Sequence, residues 1–174
     1  RKPMFNRLGN RRMKRNEQEF IKAYDSYADA IFRYCFLRIS DREASKDIMQ
    51  ETFKKVWEYI SEGKEINCFK AFLFRTASNL IIDRSRKKKE ASLDNLQEKG
   101  FQPGYEEKRE IIFDAKSAVE AMQYLEDPYR EVVIMRYVND LSPKEIAEIL
   151  GETENAVSVR VHRGLEKLRN YLAN

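Results

Sequence analysis

Apolar residues recur three and four positions apart along most of the chain, and strict apolar and polar alternation is scarce. That spacing marks amphipathic helices rather than strands. It predicts helices over residues 17–39, 42–60 and 68–86, with a short helical piece near Glu65, and a second helical set from about Phe113 to the end. The punctuation supports this division. Asp41 is placed to cap the second helix, and the segment SEGKEIN, residues 61–67, interrupts the period. Asp127 followed by Pro128 reads as a cap with proline at the first helical position. Ser142, Pro143 and Glu145 form a capping-box pattern, Gly151 suits the left-handed residue that ends the helix, and Thr153 can cap a last helix from Glu154 to about Tyr171. Between the two sets, EASLDNLQEKGFQPGYEEKRE is polar, carries Gly100, Pro103 and Gly104, and reads as a linker. The expected organisation is all-α: a flexible basic tail at 1–16 with no helical period, a first small domain at 17–88, a flexible linker at 89–113, and a second small domain at 114–174.

Composition sharpens this picture. With 174 residues, 42% of them hydrophobic, the chain can bury one medium or two small cores. The net charge of +4 is misleading, because seven of the 33 basic residues and none of the 29 acidic ones lie in residues 1–16. The remainder is slightly acidic, so affinity for nucleic acid in the folded part must come from segregated charge. No apolar run is long enough to span a bilayer, and the first residues lack the apolar stretch of a secretory signal, so no membrane insertion and a cytoplasmic location are expected. Cys35 and Cys68 match no metal or redox spacing and are expected to be buried, reduced thiols.

Within the last helix, Val157, Val161, Gly164, Leu165 and Leu168 share one side, and Asn155, Val159, His162, Arg163 and Glu166 the other, with Ser158 and Arg169 at the border. A short helix, a glycine turn and a longer helix with a polar outer face make a helix-turn-helix, whose second helix enters the DNA major groove. Charge agrees: residues 114–154 hold ten acidic and four basic side chains, whereas four basic and one acidic follow from Asn155 onward. A helical hairpin with a solvated face is the plainer alternative. His162 has no partners at metal-ligand spacing. Arg163 can donate to guanine and Val159 can touch a thymine methyl. In FKAFLFRTASNLIIDRSRKKK, Phe74, Ala77, Ser78 and Ile81 form a packing side, while Phe72, Thr76, Asn79, Asp83 and Arg86 share the other. An aromatic on a polar, basic face suits unpaired DNA.

Three ordered segments carry a family resemblance: DIMQETFKKVWEYI (Asp47 to Ile60), FKAFLFRTASNLIIDRSRK (Phe69 to Lys87), and LEDPYREVVIMRYVNDLSPKEIAEILGETENAVSVRVHRGLEKLR (Leu125 to Arg169). Together they resemble bacterial RNA polymerase sigma factors of the extracytoplasmic-function group of the sigma-70 family. The resemblance implies a transcription initiation factor without catalysis or cofactor of its own, built of a region 2 helical bundle and a region 4 helix-turn-helix. Its partners would be core RNA polymerase, through the β′ coiled coil and the β flap, promoter DNA, and an anti-sigma factor. Asp47, Gln50 and Glu51 match the acidic docking motif for the coiled coil. Ile66, Asn67, Phe72 and Asn79 would hold a base extracted from the −10 strand, with Arg84 and Arg86 on the phosphates. Ser158, Val159, His162 and Arg163 fall where the −35 element is read, and Arg160 nearby would meet phosphate. Many relatives carry G-T-V-K-S-R followed by R-A-R, whereas this chain has Ser158, and Gly164 and Leu165 after Arg163. Losing basic residues at Ser158 and Leu165 implies weaker phosphate binding. Two other readings stand beside this one: a helix-turn-helix regulator whose first domain senses a ligand or dimerises, and a sigma-like decoy.

Overall fold

The computed structural model describes residues 5–94, 117 and 119–173. Every regular element among them is helical. The first half contains α1 (Phe5–Ile39), α2 (Arg42–Ser61) and α3 (Phe69–Asp94). After a helical stretch at 119–124, the second half contains α4 (Asp127–Val133), which widens into a π-helical turn over Ile134–Val138, then α5 (Pro143–Leu150) and α6 (Glu154–Leu172).

Local chemistry sets most helix ends. The Asp41 carboxylate accepts the Ala44 N–H at 3.0 Å and starts α2. Ser142 and Glu145 form the reciprocal capping box of α5, and Gly151, at φ 68° and ψ 34°, ends it in the left-handed region. Thr153 accepts from the Ala156 N–H to start α6.

The first three helices pack Ile31, Tyr34 and Cys35 against Phe53, Val56, Leu73, Phe74 and Ala77. In the second half Val132, Val133, Ile134 and Met135 are all buried in succession. On a helix, four consecutive residues point nearly all the way round, so this segment is enclosed on every side. The cores of the two halves are continuous.

Polar contacts also cross between the halves. Arg38 of α1 donates through Nη1 to Glu131 Oε1 at 2.8 Å and through Nη2 to Asp127 Oδ2 at 2.7 Å. Glu131 Oε1 also accepts from the Tyr34 hydroxyl at 2.8 Å and the Ser78 hydroxyl at 2.6 Å. The Arg38 side chain is 0% exposed and that of Glu131 10%. Burial opposes the guanidinium charge, but Tyr34, Glu131 and Asp127 outweigh it and hold Arg38 firmly protonated. Arg130 donates to the carbonyls of Met122, Gln123 and Leu125 and to that of Arg38, joining the ends of two helices.

Several sequence expectations change. The tail at 1–16 is helical from Phe5, because its arginines and the absence of proline beyond residue 3 let α1 continue through Gly9, and Asn16 anchors it by donating to the Ile60 carbonyl at 3.1 Å. The linker expected at 89–113 begins inside α3, which runs on to Asp94; residues 95–113 lie outside the described part. No helix forms near Glu65. Asp127 occupies the first helical position and Glu126 the cap, since the Asp127 carboxylate is taken by Arg38. Cys35 is buried as expected, but Cys68 is exposed in the turn before α3.

Candidate nucleic-acid interface

The end of α2 and the outer face of α3 enclose an open groove of about 450 Å³. The packing side of α3, Phe74, Ala77, Ser78 and Ile81, is turned inward, which leaves Phe72, Thr76, Asn79 and Asp83 along the groove. Phe72 meets Tyr59 of α2 with ring centroids 4.8 Å apart and planes at 47°. Lys64 closes one end, its ammonium 5.0 Å from the Tyr59 ring centre and 2.5 Å from Glu62 Oε2. Thr76 donates its hydroxyl to the Phe72 carbonyl at 2.7 Å, whereas Asn79 is exposed and offers both an amide donor and an acceptor. A groove with aromatic faces and a bifunctional amide can stack a base and hydrogen-bond its edge.

Of the residues expected to hold the base, the structure brings Phe72 and Asn79 together in this groove. Ile66 is half-buried against the core and Asn67 is exposed in the preceding loop, and neither lines the groove. Tyr59 and Lys64 were missed by sequence reasoning. The lone signal for Tyr59 was an aromatic in the last turn of a helix just before a loop. The groove also carries Glu58, Glu62 and Asp83 against Lys55 and Lys64, so positive charge for a phosphate backbone must come from further along α3. There Arg84 and Arg86 are exposed, Arg86 lying 3.5 Å from Asp83.

On α2, Asp47 and Gln50 are exposed and Glu51 is half-buried. Their spacing places them on one strip, opposite the buried Ile48, Phe53 and Val56. Lys54 approaches Glu51 at 3.6 Å and Glu58 at 3.9 Å.

The helix-turn-helix presents Ser158, Val159, His162 and Arg163 on one exposed strip of α6, while Val157, Val161 and Gly164 are buried behind it. His162 Nε2 lies 3.4 Å from Glu166 Oε1. Arg160 is half-buried and its Nη2 lies 2.5 Å from Glu152 Oε2. Lys167 is turned back onto α4, pairing with Glu126 at 3.1 Å and lying 5.1 Å from the Tyr129 ring centre. Two of the four cations of α6 are therefore engaged within the protein, whereas Arg163 lies on the exposed strip.

Gly164 has a steric reason. A Cβ built there would lie 2.8 Å from Val133 Cγ2 and 3.5 Å from Tyr129 Cβ. Helices α4 and α6 approach so closely that only hydrogen fits. Among the described residues no group of His, Cys, Asp and Glu side chains is arranged to hold a metal ion, and no helix is long and apolar enough to cross a membrane.

Comparison with known proteins bears on both halves of the chain. Residues 23–91 match the family model for Sigma-70 region 2, and residues 116–168 match that for Sigma-70, region 4. The chain is 31% identical over 176 residues to the ECF RNA polymerase sigma factor SigW of Bacillus subtilis (strain 168), covering 93% of this chain and 94% of the relative. Two solved structures share the fold. One is CnrH in complex with the cytosolic domain of CnrY, with a TM-score of 0.72 at 21% identity over 95% of both chains. The other is the sigma factor RpoE in complex with the anti-sigma factor NepR from Bartonella quintana, with a TM-score of 0.73 at 20% identity, covering 90% of this chain and 98% of that one.

Proposed function

The chain belongs to the extracytoplasmic-function group of the sigma-70 family, and from that premise we propose how its own residues share the work of a promoter-directing transcription initiation factor. The strip Asp47, Gln50 and Glu51 docks on the basic β′ coiled coil of core RNA polymerase, and the second half meets the β flap. The groove between α2 and α3 receives an unpaired base of the −10 element. Phe72 and Tyr59 supply stacking faces, Asn79 reads the base edge, and Arg84 and Arg86 hold the neighbouring phosphates. Extracting a base costs a few kcal/mol, and stacking of about 1–3 kcal/mol per base offsets it. Helix α6 enters the major groove of the −35 element, with Ser158, Val159, His162 and Arg163 on the base edges. Arg160, oriented by Glu152, meets a phosphate. Ile66 and Asn67 act from the loop beside the groove, on the neighbouring nucleotide rather than the inserted base.

The observation that carries this reading is the coexistence, in one chain, of an aromatic groove bearing Asn79 and a helix-turn-helix whose reading strip is exposed. A ligand-sensing or dimerising regulator is not favoured, because its first domain would have no reason to match region 2 over residues 23–91. An anti-sigma factor is a further partner in this reading, supported by a neighbour of the same fold captured with one. Run-off transcription with core polymerase on a randomised promoter pool tests the proposal: this chain should select templates with a fixed pair of elements, and enrichment of none would overturn it.

A further inference from the structure

A strand lying in the groove leaves it at two ends, and those ends differ in charge. At the α3 end Arg84, Arg86, Lys87 and Lys88 are all exposed. At the other end, residues 61–67 hold Glu62 and Glu65 against Lys64 alone, and Lys64 is already paired with Glu62. Phosphates leaving by that end meet a net negative surface unless another element supplies cations.

Helix α1 is placed to supply them. It runs antiparallel to α2 in a regular register: Tyr24 meets Phe53 with ring centroids 4.7 Å apart, Phe20 meets Trp57 at 5.2 Å, and Asn16 donates to the Ile60 carbonyl at 3.1 Å. Each turn back along α1 therefore advances three or four residues along α2. The next turn back, around Arg12, falls level with the loop at 61–67, past the end of α2 at Ser61. From Asn16 to Phe5 the helix continues for about 16 Å at about 1.5 Å per residue. This spur carries Arg7, Arg11, Arg12, Lys14 and Arg15 and no acidic residue. It starts beside the residue that follows Tyr59, one of the two stacking faces of the groove.

We infer that the basic N-terminal turns of α1 hold the phosphates of the unpaired strand where it leaves the groove on the side of residues 61–67. This rests on the functional reading above and adds a contact separate from Arg84 and Arg86, so that the strand is held at both ends of the groove. The aromatic contacts of Phe20 and Tyr24 fix the direction of α1 against α2, so the cations are presented on a supported helix rather than on a free tail. Arg15 is partly engaged, its Nε 3.7 Å from Glu19 Oε1. Arg7, Arg11 and Lys14 recur four and three positions apart, which places them on one face of the spur. Like charges at that spacing oppose the helix they sit on, and phosphates relieve the repulsion. The partner this composition fits is a polyanionic strand, recognised by its backbone and not by its bases.

Salt dependence on matched templates tests the inference. A labelled fork template chosen from the randomised pool, with its −10 strand unpaired and continuing past the inserted base on the side of residues 61–67, is bound by core polymerase carrying the full chain, and the affinity is followed by fluorescence anisotropy from low to high salt. A second template ends its unpaired strand at the inserted base. Replacing Arg7, Arg11 and Lys14 together by glutamine, itself a good helix former, should flatten the slope of log affinity against log salt by about 2 on the long template, at about 0.7 per single-strand phosphate. At 0.15 M salt it should weaken binding by about tenfold or more. On the short template the same replacement should change neither. The charge-keeping pair Arg7→Lys and Arg11→Lys should retain the parent slope, and far-UV circular dichroism checks that the helices persist. A slope unchanged on the long template, or an equal fall on both, overturns the inference. So does a loss confined to the affinity for core polymerase, measured without DNA, which would make the spur a protein-docking surface. A parent complex that binds neither template would overturn the functional reading, and this inference with it; parent binding with an unaltered variant slope removes the spur alone.

Discussion

Replacing Gly164 with alanine sets two effects of opposite sign against each other. In an exposed helix interior the change stabilises by about 1 kcal/mol, because glycine loses more backbone freedom on folding. Here the added Cβ would lie 2.8 Å from Val133 Cγ2, about 1 Å inside ordinary carbon contact. Val133 is 1% exposed and β-branched, so it cannot swing aside, and overpacking of this kind typically costs about 1–3 kcal/mol. Gly164→Ala should therefore be destabilising by about 1 kcal/mol net, read as a lower urea midpoint at unchanged slope. The decisive measurement is the second arm of a double-mutant cycle. In a Val133→Ala background the obstructing methyl is gone, and the same Gly164→Ala change should become neutral or stabilising. If alanine at 164 stabilises the chain that retains Val133, the account of α4 and α6 in steric contact is wrong. The cycle also bears on the departure from the R-A-R pattern, since alanine there calls for a smaller residue at 133.

Three other outcomes are expected. Phe72→Ala and Asn79→Ala should each weaken polymerase-dependent binding to a fork template with an unpaired −10 strand by about 1–3 kcal/mol, leaving duplex −35 binding unchanged in a gel-shift assay. Arg163→Ala should lower affinity for −35 duplex by about 1–3 kcal/mol and relax preference at one base position; uniform weakening across all sequences would make it a phosphate contact instead. The Ser142 N–H, then Lys70, hold the Glu145 carboxyl at about 2, below the ordinary 4.5. A depressed carboxyl stabilises the fold above its unfolded value and loses that contribution as pH falls through its folded one. The difference in thermal midpoint between parent and Glu145→Gln should hold steady at neutral pH and close between about 4.5 and 2. A difference unchanged down to pH 2 would argue against the capping box and its lysine.

What could be read from the residues alone follows the range of the forces involved. Asp41, Ser142, Gly151 and Thr153 act on backbone groups within a few positions, so their roles follow from neighbours in sequence. The inward side of α3 and the outward strip of α6 follow from helical period. Arg38 was opaque, because its partners Asp127 and Glu131 lie 89 and 93 residues away, and in the sequence it is one more basic residue beside Leu37 and Ile39. The same long-range bond moved Asp127 from cap to first helical turn. Tyr59 joins Phe72 only through the crossing of α2 and α3, which no local pattern encodes. The helical part of the tail carries too little apolar period to announce itself and follows from continuity with α1.

The widened turn at Ile134–Val138 has a consequence for how this corner tolerates change. There the Asn139 N–H reaches the Ile134 carbonyl five positions back, and Leu141 reaches Met135, so the coil takes in one residue beyond the α-helical repeat. Each residue of an α-helix turns the chain by about 100°. Deleting one from this turn would leave α5 and α6 intact as helices but aimed along a different bearing. The turn is a phase setting for everything downstream, and length there should be far less negotiable than the identity of any single side chain in it.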